Sequence, residues 1–134
     1  MHHTADAKFQ AFGQTLEEAF SHAALAIASL MWDQDKIEGK LTIPIEVRGK
    51  DLQQLLVNFL EEILYLFETK GFLLGSVEDL TIHKNEGKFS LRALFIGDEY
   101  SSLYEIFGDV KAITYNEMAI KENAPFMVQV VADI

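Results

Sequence analysis

Residues 51–71 read Asp51-Leu-Gln-Gln-Leu-Leu-Val-Asn-Phe-Leu-Glu-Glu-Ile-Leu-Tyr-Leu-Phe-Glu-Thr-Lys-Gly71. Leu52, Leu55, Leu56, Phe59, Leu60, Ile63, Leu64 and Phe67 recur at helical spacing and form a wide apolar stripe. Asp51 is a good N-cap, with Gln54 three residues on. Gly71 supplies the stop, because glycine takes the left-handed backbone that ends a helix. This is the most hydrophobic helix of the chain and the expected centre of the core. It needs a sheet to cover it.

Strand signals lie on both sides. Upstream, Ala5, Ala7, Phe9 and Ala11 alternate with Asp6, Lys8 and Gln10, and Gly13 ends that strand. Thr15-Leu-Glu-Glu18 has the form of a capping box, in which Thr15 and Glu18 satisfy each other's free amides. A helix is predicted from Leu16 to about Met31, with Phe20, Ala23, Ala24, Ile27, Leu30 and Met31 on its apolar side. Leu41, Ile43, Ile45 and Val47 alternate with polar residues and Pro44. Proline cannot donate to a ladder, so this strand belongs at a sheet edge.

Downstream, Leu80-Thr-Ile82 leads into the turn Asn85-Glu86-Gly87, and Phe89, Leu91, Ala93 and Phe95 alternate on the return. That is a hairpin pattern. Residues 97–109 are irregular, with Tyr100, Leu103, Tyr104, Ile106 and Phe107 expected as a short packed helix or, failing that, an exposed patch. Strands are predicted from Val110 to Ile120 and from Phe126 to Asp133. The order β-α-β-α-β-β-β-β predicts an α+β fold: a two-layer sandwich, with two helices on one face of a mixed six-stranded sheet.

The 134 residues fit a single domain over 1–134, with no repeat or linker. No stretch is apolar enough to span a membrane, and no basic segment with an apolar run opens the chain, so a cytoplasmic protein is expected. Cysteine is absent, which excludes disulfides, thiolate metal sites and a cysteine nucleophile. The net charge is −10 and the only arginines are Arg48 and Arg92. RNA as a direct, main ligand is therefore disfavoured, and a basic protein partner or a hard cation is the better expectation.

The acids at the two ends carry the functional reading. Asp6 lies on the Lys8 and Gln10 side of the first strand, and Asp133 on the Met127, Gln129 and Val131 side of the last. Both are expected on the sheet face away from the helices, where they could meet. The Ile134 terminal carboxylate would be a third acid. Carboxylates about 4 Å apart repel by roughly 4 kcal/mol at an effective dielectric near 20. A cation removes that cost, and an all-oxygen set favours calcium or magnesium over zinc or copper.

Lys111, beside Val110, could neutralise these ends or contact a partner. His3 could support Asp6. His22 and His83 read as structural or surface residues, and neighbouring Glu61 and Glu62 as one solvated face. There is no GxSxG elbow, P-loop, GxGxxG or HExxH pattern, so the chain is not expected to be an enzyme.

Four segments in order resemble the archease family: His3-Thr4-Ala5-Asp6; Leu55-Leu56-Val57-Asn58-Phe59-Leu60, running on to Leu64-Tyr65-Leu66-Phe67; Val110-Lys111-Ala112-Ile113-Thr114-Tyr115; and Val131-Ala132-Asp133-Ile134. The resemblance spans essentially the whole chain. It implies a small cytoplasmic cofactor of the GTP-dependent, manganese-containing RNA ligase that joins tRNA exons. Such cofactors promote guanylylation of the ligase histidine, allow multiple turnover and broaden nucleotide use.

By position, the resemblance makes Asp6, Asp133 and Ile134 metal ligands, with calcium the usual ion and magnesium or manganese the alternatives. It ties Lys111 to ligase activation. The chain departs from the family at Leu103-Tyr104-Glu105-Ile106, where many members carry a histidine. Two rivals remain open. One is a chaperone-like modulator of a tRNA methyltransferase, and the other a free-standing metal-dependent hydrolase.

Overall fold

The computed structural model describes residues 5–134, and its central helix has the predicted bounds. Helix α2 runs Leu52–Lys70. The Asp51 carboxylate accepts the Gln54 N–H at 2.8 Å, and Gly71 closes the helix at φ +64°. Nine of its residues are buried: Leu52, Leu55, Leu56, Val57, Phe59, Leu60, Ile63, Leu64 and Leu66. At 3.6 residues per turn they spread over about 200° of the helix. One sheet cannot cover an arc that wide.

The remaining elements are β1 (Asp6–Gly13), α1 (Leu16–Ser29), a 3-10 turn (Gln34–Lys36), β2 (Leu41–Gly49), β3 (Phe72–Asn85), β4 (Lys88–Glu99), β5 (Ala112–Lys121) and β6 (Phe126–Asp133). The order and the α+β class are as predicted. The expectation of one mixed sheet is corrected. The strands form two three-stranded sheets, β1-β6-β5 and β2-β4-β3, and every paired neighbour is antiparallel.

The reason lies in the crossover. The connection β2-α2-β3 makes β2 and β3 run the same way, as a mixed sheet would need. The hairpin partner β4 then inserts between them, so each pairs only with β4. In the other sheet β6 separates β1 from β5 in the same manner.

Among the described residues no strand of one sheet contacts a strand of the other. The helices join them: α1 packs on β1, β6 and β3, while α2 packs on β2, β3, β4 and β5. Phe59 sits at the centre, its ring 6.2 Å from that of Phe20 on α1 and 5.7 Å from that of Phe95 on β4.

Helix α1 starts as predicted, with Thr15 Oγ1 accepting the Glu18 N–H at 3.1 Å. The reciprocal half of the box differs, because the Glu18 carboxylate takes the Gln14 N–H at 3.4 Å. Ala19, Ala23, Ala24 and Ala28 are buried, so the helix backbone lies close to its neighbours. Trp32, just past its end, is fully buried and donates Nε1–H to the Leu74 carbonyl at 2.9 Å.

Three outer strands are irregular. Strand β2 carries Pro44 and does lie at an edge. Strand β3 begins at Phe72, well before the predicted Leu80, and shifts register between Leu74 and Ser76 and again between Glu78 and Thr81, where Asp79 takes φ +53°. In β5 the four residues 115–118 oppose only Val130 of β6, with Glu117 at φ +51°.

Residues 100–111 hold no helix. The Phe107 and Gly108 amides bond the Met31 carbonyl at 2.9 and 3.4 Å, and Ile106 bridges to Trp32. Tyr104 and Ile106 pack on the core, while Tyr100, Leu103 and Phe107 stay exposed. The segment is thus part packed and part patch. No helix among the described residues is long and apolar enough to cross a membrane.

Replacing Phe59 with alanine should cost about 3–5 kcal/mol in urea unfolding, because its cavity is walled by both helices and a sheet. Tyr65→Ala, on the solvent side of the same helix, should stay within about 0.5 kcal/mol. A Phe59→Ala loss as small as that of Tyr65→Ala would refute this picture of the core.

Candidate functional site

Strands β1 and β6 pair along their full length, and the register sets Asp6 directly opposite Asp133. The adjacent pair is Ala5 and Ile134, where the Ile134 N–H donates to the Ala5 carbonyl at 3.0 Å. In an antiparallel ladder hydrogen-bonded and non-hydrogen-bonded pairs alternate. Asp6 and Asp133 therefore form a non-hydrogen-bonded pair, the class whose Cα atoms approach to about 4.5 Å and whose side chains lie closest.

The face is the one predicted. Gln10 and Gln129, further along the same face, bond side chain to side chain at 2.8 Å. The helix-facing positions of these strands are Ala11, Val128, Val130 and Ala132, all buried. On the other side of β6, Ala112 pairs with Asp133, and the Lys111 N–H donates to the Asp133 carbonyl at 2.8 Å. Three strands thus converge at one end of this sheet, carrying Asp6, Asp133 with Ile134, and Lys111.

The electrostatics are unbalanced. Asp6 is exposed and Asp133 half-buried. Among the described residues no lysine, arginine or histidine nitrogen lies within 4 Å of either carboxylate, and Lys111 is paired with no acid. Like charges directly opposite on neighbouring strands are destabilising. At 4 Å the repulsion lies between roughly 1 kcal/mol in bulk water and 4 kcal/mol near a protein surface.

The donors fit a hard divalent cation by class, since each is a carboxylate oxygen. They do not complete a cluster with side chains alone. Among the described residues no three His, Asp or Glu side chains are grouped to hold a metal. A third protein oxygen, were an ion to bind, would come from a backbone carbonyl, the Ile134 carboxylate or residues outside those described. His3 lies outside them.

The remaining sequence candidates separate from this end. His22 is exposed on α1 and its Nδ1 lies 2.6 Å from the Phe12 carbonyl, which ties the helix to β1. His83 is exposed on β3. Glu62 is half-buried on α2 and burial pushes its carboxyl above the usual range, while Glu61 points to solvent.

One polar link escaped the sequence reading. The Tyr104 hydroxyl donates to the Asp98 carboxylate at 2.7 Å and accepts the Glu38 N–H at 3.2 Å. The bond to Tyr104 holds the Asp98 carboxyl below its ordinary range and raises the phenol. No local signal could have shown it, because Glu38 and Tyr104 are 66 residues apart.

The geometry can be set beside known proteins. The model of the archease protein family (MTH1598/TM1083) matches residues 1–134. Protein archease of Pyrococcus furiosus is 42% identical over 135 residues, covering 98% of this chain and 94% of that one. Protein archease of Methanosarcina mazei is 38% identical over 136 residues, covering 100% and 93%.

Among solved structures, the solution structure of Methanobacterium thermoautotrophicum protein 1598 matches with a TM-score of 0.81 at 29% identity, covering 100% of this chain and 96% of that one. The crystal structure of a Thermotoga maritima protein, described as an archease and possible chaperone, shares the fold with a TM-score of 0.63 at 14% identity, covering 100% and 94%.

Asp6→Asn should stabilise the metal-free protein by roughly 0.2–1 kcal/mol, because it removes one of two opposed like charges. The gain should shrink as salt screens the pair. Thermal unfolding in chelator at two ionic strengths reads both effects. A destabilised variant under all conditions would contradict the repulsion.

Proposed function

The chain belongs to the archease protein family, and from that premise we propose that it is a protein cofactor, not an enzyme, which activates a GTP-dependent tRNA-splicing RNA ligase. Its role is to promote guanylylation of the ligase and multiple turnover in the cytoplasm. The observation that carries the reading is the uncompensated Asp6–Asp133 pair at one end of the β1-β6-β5 sheet. Such a pair lowers its own energy by gaining a cation, whether a free ion or a basic partner surface.

Calcium is the proposed ion, with magnesium and manganese chemically equivalent in donor preference. Asp6, Asp133 and the Ile134 carboxylate would hold it. The bound ion would supply positive charge and open coordination positions at the docking end. Asp6 and Asp133 present their oxygens from two strands whose spacing is fixed by the ladder, so the donors are positioned before any ligand arrives. Lys111, anchored by its amide to Asp133, presents its ammonium to the ligase from the neighbouring strand. The net charge of −10 steers the acidic end toward a basic pocket.

A second reading has one observation in its favour. Leu103 is 80% exposed and Phe107 58%, unusual for large apolar side chains in a free monomer, and they suit a chaperone-like grip on a client such as a methyltransferase. It predicts suppression of client aggregation that persists in chelator.

Mixing the purified chain with the RNA ligase of its own organism, GTP and a divalent ion tests the first reading. Asp6→Ala and Asp133→Ala should each abolish stimulation of guanylylation while the circular dichroism spectrum is kept. Lys111→Ala should lower stimulation without changing calcium affinity. One glycine added after Ile134 should weaken calcium binding measured by calorimetry. Full stimulation by both aspartate variants would overturn the proposal, and unchanged affinity in the extended chain would remove Ile134 as a ligand.

A further inference from the structure

Toward the Lys88 end, the solvent face of the β2-β4-β3 sheet is polar and carries more cations than acids. The register stacks its outward side chains in rows across three strands. One row is Glu46, Arg92 and Thr81, and the next is Arg48, Ser90 and His83. Lys88 pairs with Asn85 in the third, and Lys50 extends it beyond β2. These rows floor an open groove of about 840 Å³ beside the start of α2.

Both arginines of the chain line it, with Lys50 and Lys88, against only Glu46 and Glu86. Four cations facing two carboxylates leave the groove at +2 in a chain of −10, so the rest of the molecule carries −12.

We propose that this groove binds the sugar-phosphate backbone of single-stranded nucleic acid. The lining has the donors for it: guanidinium and ammonium groups for phosphate, hydroxyls of Ser90 and Thr81, and the Asn85 amide. Arg92 Nε bonds Glu46, which leaves four further guanidinium N–H donors. That contact orients Arg92 and holds the Glu46 carboxyl below its ordinary range. Lys88 and Arg92 are four residues apart on β4, about 13 Å at strand rise, a span of two or three phosphates.

Other occupants fit less well. A protein docking surface has an apolar centre, and here the one large apolar side chain in the lining is Phe89, which packs against the core. A single nucleotide would find no enclosed base pocket on an open sheet face. A duplex would bring its neighbouring turns against the −12 remainder. The whole-chain charge that disfavours RNA is an average, and this face is the exception to it.

The test is fluorescence anisotropy of a labelled twelve-residue oligouridylate with the full chain. Saturable binding is expected at 50 mM salt. At about 0.7 counterions released per contact, four contacts give about a 50-fold loss at 200 mM. Lys50→Glu/Lys88→Glu should bind more weakly and show only about a sevenfold salt effect. Lys36→Glu/Lys121→Glu carries the same change in net charge away from the groove and should bind nearly as wild type.

Absence of saturable binding at 50 mM salt would overturn the proposal. So would equal losses in the two double variants. Displacement of the oligonucleotide by polyglutamate at matched charge would reject it in favour of an acidic protein partner.

Discussion

Helix α2 has to be covered on two sides. Its buried residues span about 200° of its circumference, more than the face one sheet can reach. Among the described residues the strands of the two sheets do not contact one another, so the apolar arc of this helix and the alanine-rich side of α1 hold them in one core. Everything at the surface inherits its position from that arrangement. The β1-β6-β5 sheet turns the chain ends outward, and the β2-β4-β3 sheet turns its arginines outward, because the opposite face of each is committed to the helices.

This division separates charge as well as structure. One sheet presents two opposed carboxylates with no cationic nitrogen within 4 Å of either among the described residues. The other presents the only two arginines, sharing a single glutamate. A uniform distribution of the −10 would have produced neither feature. The helical layer shared by both sheets holds these two faces apart in a fixed relation.

The sequence made the helices legible because their signals are local. Asp51, Gly71 and the 3.6-residue stripe lie within one segment, and Thr15 with Glu18 marks the other start. It also placed Asp6 and Asp133 on one face by strand parity. Their direct opposition depends on register between residues 127 positions apart, which parity leaves undetermined.

The two-sheet division was hidden for the same reason, since periodicity identifies a strand without naming its neighbour. Residues 72–79 were missed because Phe72, Leu73 and Leu74 are buried on both faces and a bulge follows, so no alternation shows. The aromatic spacing of 100–107 imitated a helix. Its backbone is instead held against Met31, where a Cβ at Gly108 would lie 2.1 Å from the Leu30 carbonyl oxygen.

The irregular strands bear on how anything can approach this molecule. A sheet edge with free amides and carbonyls is an open template for another strand. Here the β2 edge is interrupted by Pro44, the β3 edge by two bulges, and the β5 edge by the loop-out at 115–118. Three of four edges therefore cannot propagate a ladder. Recognition by added strands is closed to most of the perimeter, along with runaway edge-to-edge polymerisation. Partners are left to engage side chains on the faces and at the tip, where binding can be released without unzipping a backbone.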